Sequence, residues 1–149
     1  MANYCLVNQN GENVTIKVTS NNGLRTGAKF WLWKQKAGVF QPIETDKHQG
    51  STGNDGLWNF TLNLESNQLE GLVLTWILNS CLFIPEAEKA IIKIELFQGT
   101  IKCKTTADIR YNSKYPGCAE GKALSQKGQI SFTLINQIQV ESLWTRMEY

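Results

Sequence analysis

Val14-Thr15-Ile16-Lys17-Val18-Thr19 decides the fold class. Val14, Ile16 and Val18 project to one side of an extended chain, and Thr15, Lys17 and Thr19 to the other. A strand with one face on a core and one in water needs this period of two. Upstream, Tyr4 to Asn8 is a second run, and Gly11 between the two makes them read as a hairpin. Downstream, Ser20-Asn21-Asn22-Gly23 is a turn, because Asn and Gly tolerate the positive φ of tight connections.

The pattern recurs along the chain. Ala28 to Gln35 is a strand, and Val39 to Thr45 follows Gly38, its Pro42 suiting a sheet edge. Asp46 to Gly56 reads as a long polar loop. In Leu57 to Leu64, Trp58, Phe60, Leu62 and Leu64 share one face. Leu72 to Leu78 is apolar on both sides, as in a strand covered on both faces. Pro85 to Lys89 reads as a short turn, with at most one short helix near 85–90, and a strand runs on to Phe97. Thr100 to Tyr111 is a further strand element, Asn112 to Gln126 a long loop, and Ile130, Phe132 and Leu134 alternate again. A last run places Ile138, Val140 and Trp144 on a common side. The expectation is an all-β protein: one domain over 1–149, an antiparallel β-sandwich of about nine or ten strands.

A chain of 149 residues buries roughly 68–70% of its unfolded surface, enough for a core without disulfides. The charged fraction, 19%, is low, and the net charge is +2 with no dense Lys/Arg run. That excludes the electrostatic footprint of a nucleic-acid binder. Membrane lipid or glycan fits this balance. The N-terminus carries no basic leader or apolar h-region, so the expectation is a soluble protein without a signal peptide, made in the cytoplasm and open to later release.

The four cysteines, Cys5, Cys81, Cys103 and Cys118, form no CxxC pair, and His48 is the one histidine. No metal site or cofactor is expected. Cys5 reads as a buried free thiol; Cys103 and Cys118 bracket one loop and are the candidate bridge in an oxidising compartment. His48, in Asp46-Lys47-His48-Gln49-Gly50, reads as a solvated loop histidine. Glu44 and Asp46 share a strand face by parity, the arrangement a glycosidase pair would need, but such spacing is common on solvated edges. Asp46, Asn54 and Asp55 supply loop oxygens without matching a twelve-residue calcium loop. The expectation is a protein that is not an enzyme.

The aromatics are more informative. In Ala28-Lys29-Phe30-Trp31-Leu32-Trp33-Lys34-Gln35, the even positions form an apolar face. If Phe30 and Leu32 are core, Trp31 and Trp33 face outward beside Lys29. Such a surface suits sugar stacking or the half-wet interface of a membrane. The opposite assignment, with both indoles in the core, stays open. A second candidate is the loop with Arg110, Tyr111, Lys114 and Tyr115, where two rings stand beside two phosphate-binding cations. An ordinary turn is the competing reading there. Trp58, Trp76 and Trp144 share faces with aliphatic residues and read as core.

The opening strands together with Gly27-Ala28-Lys29-Phe30-Trp31 resemble the aegerolysins over about the first third of the chain. The mildly basic balance and the C-terminal half depart from that family. The resemblance implies membrane-lipid recognition, and cytolytic or insecticidal activity with a second, pore-forming protein. The leading expectation is therefore a non-enzymatic lipid-binding module. A lectin is the alternative, and a self-assembling homo-oligomer using an edge strand such as Val39–Thr45 is the third.

Overall fold

The computed structural model describes residues 4–21, 23–84, 89–112 and 115–135, with backbone alone at 89, 90 and 104–112. Among these residues nine strands fall into two sheets: β1 Tyr4–Asn8, β2 Val14–Ser20, β3 Leu24–Lys36, β4 Val39–Ser51, β5 Leu57–Thr61, β6 Val73–Leu82, β7 Lys89–Gln98, β8 Ile101–Asn112 and β9 Leu124–Ile135. The five-stranded sheet has the order β1-β9-β6-β3-β4, the four-stranded sheet β5-β2-β7-β8. Two short 3-10 turns, Ser66–Gln68 and Cys118–Glu120, complete the regular structure. The chain is all-β over these residues.

Alternation does what the sequence requires of it. Val14, Ile16 and Val18 are fully buried, as are Phe30 and Leu32. These side chains join one hydrophobic cluster drawn from both sheets. Phe30 of β3 meets Phe60 of β5 at 5.1 Å between ring centroids and Trp58 at 6.1 Å, so aromatic contact crosses from sheet to sheet. Trp58 and Trp76 point inward as expected. Their indoles lie over Gly50 and Gly128, where any Cβ would collide with them.

Several expectations are corrected. Tyr4–Asn8 and Val14–Thr19 are not a hairpin: β1 runs parallel to β9, while β2 sits in the other sheet between β5 and β7. The pairing is thus not antiparallel throughout. Alternation sets which face of a strand is buried, but it does not name the neighbour. Gln98, buried on β7, bridges the step between the sheets: its Oε1 accepts from the Asn8 amide at 2.9 Å, and its Nε2 donates to the Asn8 carbonyl at 2.9 Å and the Glu12 carbonyl at 3.1 Å.

Asp46 to Ser51 is strand, not loop, since β4 continues through it. Likewise β9 begins at Leu124, inside the stretch expected to be loop, and β8 runs one residue past the expected Thr100–Tyr111 strand, to Asn112. The bridge joins Cys81 to Cys118, with Cα atoms 4.9 Å apart, rather than Cys103 to Cys118. Leu82 N–H donating to the Pro116 carbonyl brings the segment before Cys118 against the end of β6, which carries Cys81. Of the turn expected at Pro85–Lys89 or short helix near 85–90, residues 85–88 lie outside the described residues, while Lys89 and Ala90 already belong to β7; the run from Ile138 to Trp144 also lies outside them.

Candidate functional site

Trp31 and Trp33 lie on the outer face of the five-stranded sheet, opposite the buried Phe30 and Leu32, and both are half-buried. Their rings meet edge to face, 6.0 Å between centroids at 88°. The Trp33 indole N–H donates to Thr75 Oγ1 on β6 at 2.7 Å, which fixes the ring's orientation. An indole pair held this way keeps one apolar flank available at little cost in side-chain entropy.

Strand register supplies the surroundings. Trp31 lies opposite Thr75 on one side and Lys47 on the other, and Thr75 lies opposite Gln129. The next row is Lys127, Ile77, Lys29 and Gln49. The row on the other side is Tyr4, Ser131, Val73, Trp33 and Pro42, of which Tyr4 is 53% exposed. Directly opposed residues share a face, so two indoles and a phenol stand among Lys29, Lys47 and Lys127. Lys47 also pairs with Glu44 at 2.8 Å on the surface, a contact of little energy.

The second sequence candidate does not assemble. Tyr115 is buried, only 5% exposed, and its hydroxyl accepts from Gln126 Nε2 at 3.2 Å. The Cys81–Cys118 bridge and the Leu82–Pro116 hydrogen bond fold this segment back onto the protein. Arg110 and Tyr111 are in β8, with side chains outside the described set, as is all of Lys114. The partners that sequence reasoning missed are Tyr4, Lys47, Ile77 and Lys127. Tyr4 was recoverable from its alternation with Cys5 and Val7; the others needed the register.

The histidine is not the solvated loop residue expected. His48 stacks on Phe60, 4.3 Å between centroids at 20°, and its Nε2 is 2.9 Å from Asp46 Oδ1. Asp46 is fully buried; its Oδ1 accepts from Asn63 N–H at 2.7 Å and its Oδ2 from Leu64 N–H at 3.0 Å. This carboxylate is occupied in holding β4 to the segment after β5. Glu44 is largely exposed, so it does not converge with Asp46 on a cleft. Asn54, the other oxygen considered for calcium, accepts from Arg25 Nη2 at 2.7 Å. Among the described residues no three of His, Cys, Asp and Glu gather in a metal-holding group.

Two thiols remain unbridged. Cys5 is buried on β1, and Cys103 sits at a register shift of β8, where Lys102 and Lys104 flank it opposite Phe97 and Leu96. The extra residue at such a bulge is aimed out of the regular alternation, here toward the core. A hydrogen bond with the Cys5 side chain lowers the Cys103 pKa below the ordinary thiol value. Burial opposes that shift, and the Gln98 backbone adds to it.

Comparison with known proteins gave no match to this chain among family models, curated proteins or solved structures.

Proposed function

We propose that the protein is a non-enzymatic membrane-lipid-binding module, a β-sandwich whose outer five-stranded face carries the site. The observation that supports this is the placement of Trp31 and Trp33: opposite a buried face, ordered by Thr75, beside Lys47 across the strand pair and Lys29 two residues away, with Lys127 farther along the Lys29 row beyond Ile77. Indoles with one apolar flank and one wet edge favour the headgroup level of a bilayer, and neighbouring ammonium groups complement lipid phosphates. Among the described residues no helix is long and apolar enough to cross a membrane. Any pore would be assembled with further copies or a second protein, as the aegerolysin resemblance implies, because every backbone polar group must find a partner inside a bilayer.

Carbohydrate binding is the second reading, favoured by the uncharged Gln49, Thr75 and Gln129 around the same rings. Liposome co-sedimentation set against a glycan array separates the two. The Trp31→Ala/Trp33→Ala double variant, still folded but with its unfolding midpoint lowered by the loss of two half-buried rings and of the Trp33–Thr75 hydrogen bond, loses vesicle binding if the lipid reading holds. Binding to sugars alone, or full vesicle binding by the folded double variant, rejects it.

A further inference from the structure

Past Trp33 the β3–β4 hairpin leaves the sheet. The last β3 residue with a partner in β6 is Trp33, opposite Val73, whereas among the described residues Lys34, Gln35 and Lys36 pair only with Gln41, Phe40 and Val39. All of residues 34–41 are exposed. The turn between the two arms is just Ala37 and Gly38, both at positive φ, 52° and 78°, the geometry that closes a two-residue hairpin. A narrow two-stranded ribbon therefore stands out from the body of the protein.

Its chemistry is specific. Val39 and Phe40 are 57% and 50% exposed, large apolar side chains at the tip. Lys36 lies directly opposite Val39, and Lys34 is on the same face two residues back, while Phe40 is on the other face; residues 34–41 contain no acid. Phe40 lies opposite Gln35, two positions along from Trp33, so it extends the outward aromatic row of Trp31 and Trp33 to the end of the ribbon. A tip with one large apolar side chain on each face and two ammonium groups beside Val39 matches an anionic lipid surface.

We propose that residues 34–41 are the part of the protein that enters the bilayer, and that the surface they take is anionic. Val39 and Phe40 enter the headgroup–acyl boundary, while Lys34, one row behind Phe40, and Lys36, which shares Val39's row and bends its aliphatic stem back, bring their ammonium groups to the phosphates. Entry is shallow, because the outer edges of a two-stranded ribbon keep unpaired N–H and C=O groups that hydrocarbon cannot satisfy. This inference rests on the lipid reading above and adds to it the penetrating element and the charge of the lipid.

The test is co-sedimentation with phosphatidylcholine vesicles and with vesicles in which about one-fifth of the lipid is phosphatidylserine, at physiological ionic strength. The wild type binds the serine-containing vesicles more tightly. Lys34→Gln/Lys36→Gln loses about 30-fold on those vesicles and little on neutral ones, from roughly a tenfold-or-less factor per lysine near a charged surface. Val39→Ser/Phe40→Ser loses roughly tenfold on both, since each side chain gives up part of a full burial. Because all four positions are exposed, these variants keep the wild-type unfolding midpoint. Wild-type binding by Val39→Ser/Phe40→Ser, on vesicles that Trp31→Ala/Trp33→Ala no longer binds, overturns the hairpin's role and leaves the face intact. No binding by the wild type to either vesicle overturns both.

Discussion

Replacing Asp46 by Asn tests whether the buried carboxylate holds the edge strand in place. The substitution is nearly isosteric, so packing around it is kept. Its effect lies in acceptors: the carboxylate receives Asn63 N–H and Leu64 N–H on different oxygens, with His48 Nε2 also facing Oδ1. An amide has one acceptor oxygen. With that oxygen toward Asn63, the NH2 group faces the Leu64 N–H; with the amide turned over, His48 can adapt its tautomer but Asn63 N–H meets a donor. Either way one backbone N–H loses its partner, at about 1–3 kcal/mol, and the surviving bond loses its charged acceptor. A total near 2 kcal/mol is expected, read as a fall of about 1 M in the urea midpoint at unchanged slope, given the ~2 kcal/mol/M typical of small proteins. Glu44→Gln, which breaks only the exposed pair with Lys47, changes stability by under about 0.5 kcal/mol, a midpoint shift of about 0.25 M or less at the same slope. If Asp46→Asn is as stable as Glu44→Gln, the clamp does not hold β4 and the account of that strand is wrong.

Two further outcomes concern the cysteines. Removing the Cys81–Cys118 bridge, which closes a separation of 37 residues, should cost about 4 kcal/mol by loop-closure entropy; Cys81→Ser/Cys118→Ser is compared with wild type in non-reducing urea unfolding, and equal stability would refute the estimate. Cys103 should alkylate in the native protein at a pH below that of an ordinary thiol, because its thiolate forms earlier as pH rises. In Cys5→Ala that profile moves to higher pH, since the hydrogen bond with the largest lowering effect is gone; an unmoved profile counts against the pairing of the two thiols.

What the sequence discloses here is orientation, strand by strand. Val14, Ile16, Val18, Phe30, Leu32 and Trp76 are all where alternation puts them, and the same rule turns Trp31 and Trp33 outward. That Trp31 and Trp33 share one face was therefore legible; that it is the outer face is decided by the burial of Phe30 and Leu32. The flanks of that face were not legible, because Lys127 comes beside Ile77 only through the pairing of β6 with β9, and pattern does not encode which strands become neighbours. The β4 extension was hidden by composition. Its inward positions are Asp46, His48 and Gly50, polar or small residues that resemble a loop until their partners are known: two backbone amides, the Phe60 ring and the Trp58 indole. Tyr115 misled for the converse reason. Tyr-Pro-Gly is the composition of a surface turn, yet the neighbouring disulfide draws the ring inside.

The parallel seam between β1 and β9 bears on how the molecule is made. Tyr4 is synthesised well over a hundred residues before its mate Ser131. Until then the opening segment, with Cys5 and Val7 destined for the interior, has no place to dock in its sheet. Contacts so distant along the chain slow the final step and leave apolar edge exposed while it is pending. A nascent chain halted before residue 124 would thus hold its β1 loose, and ribosome-bound intermediates of this protein should be protease-sensitive at β1.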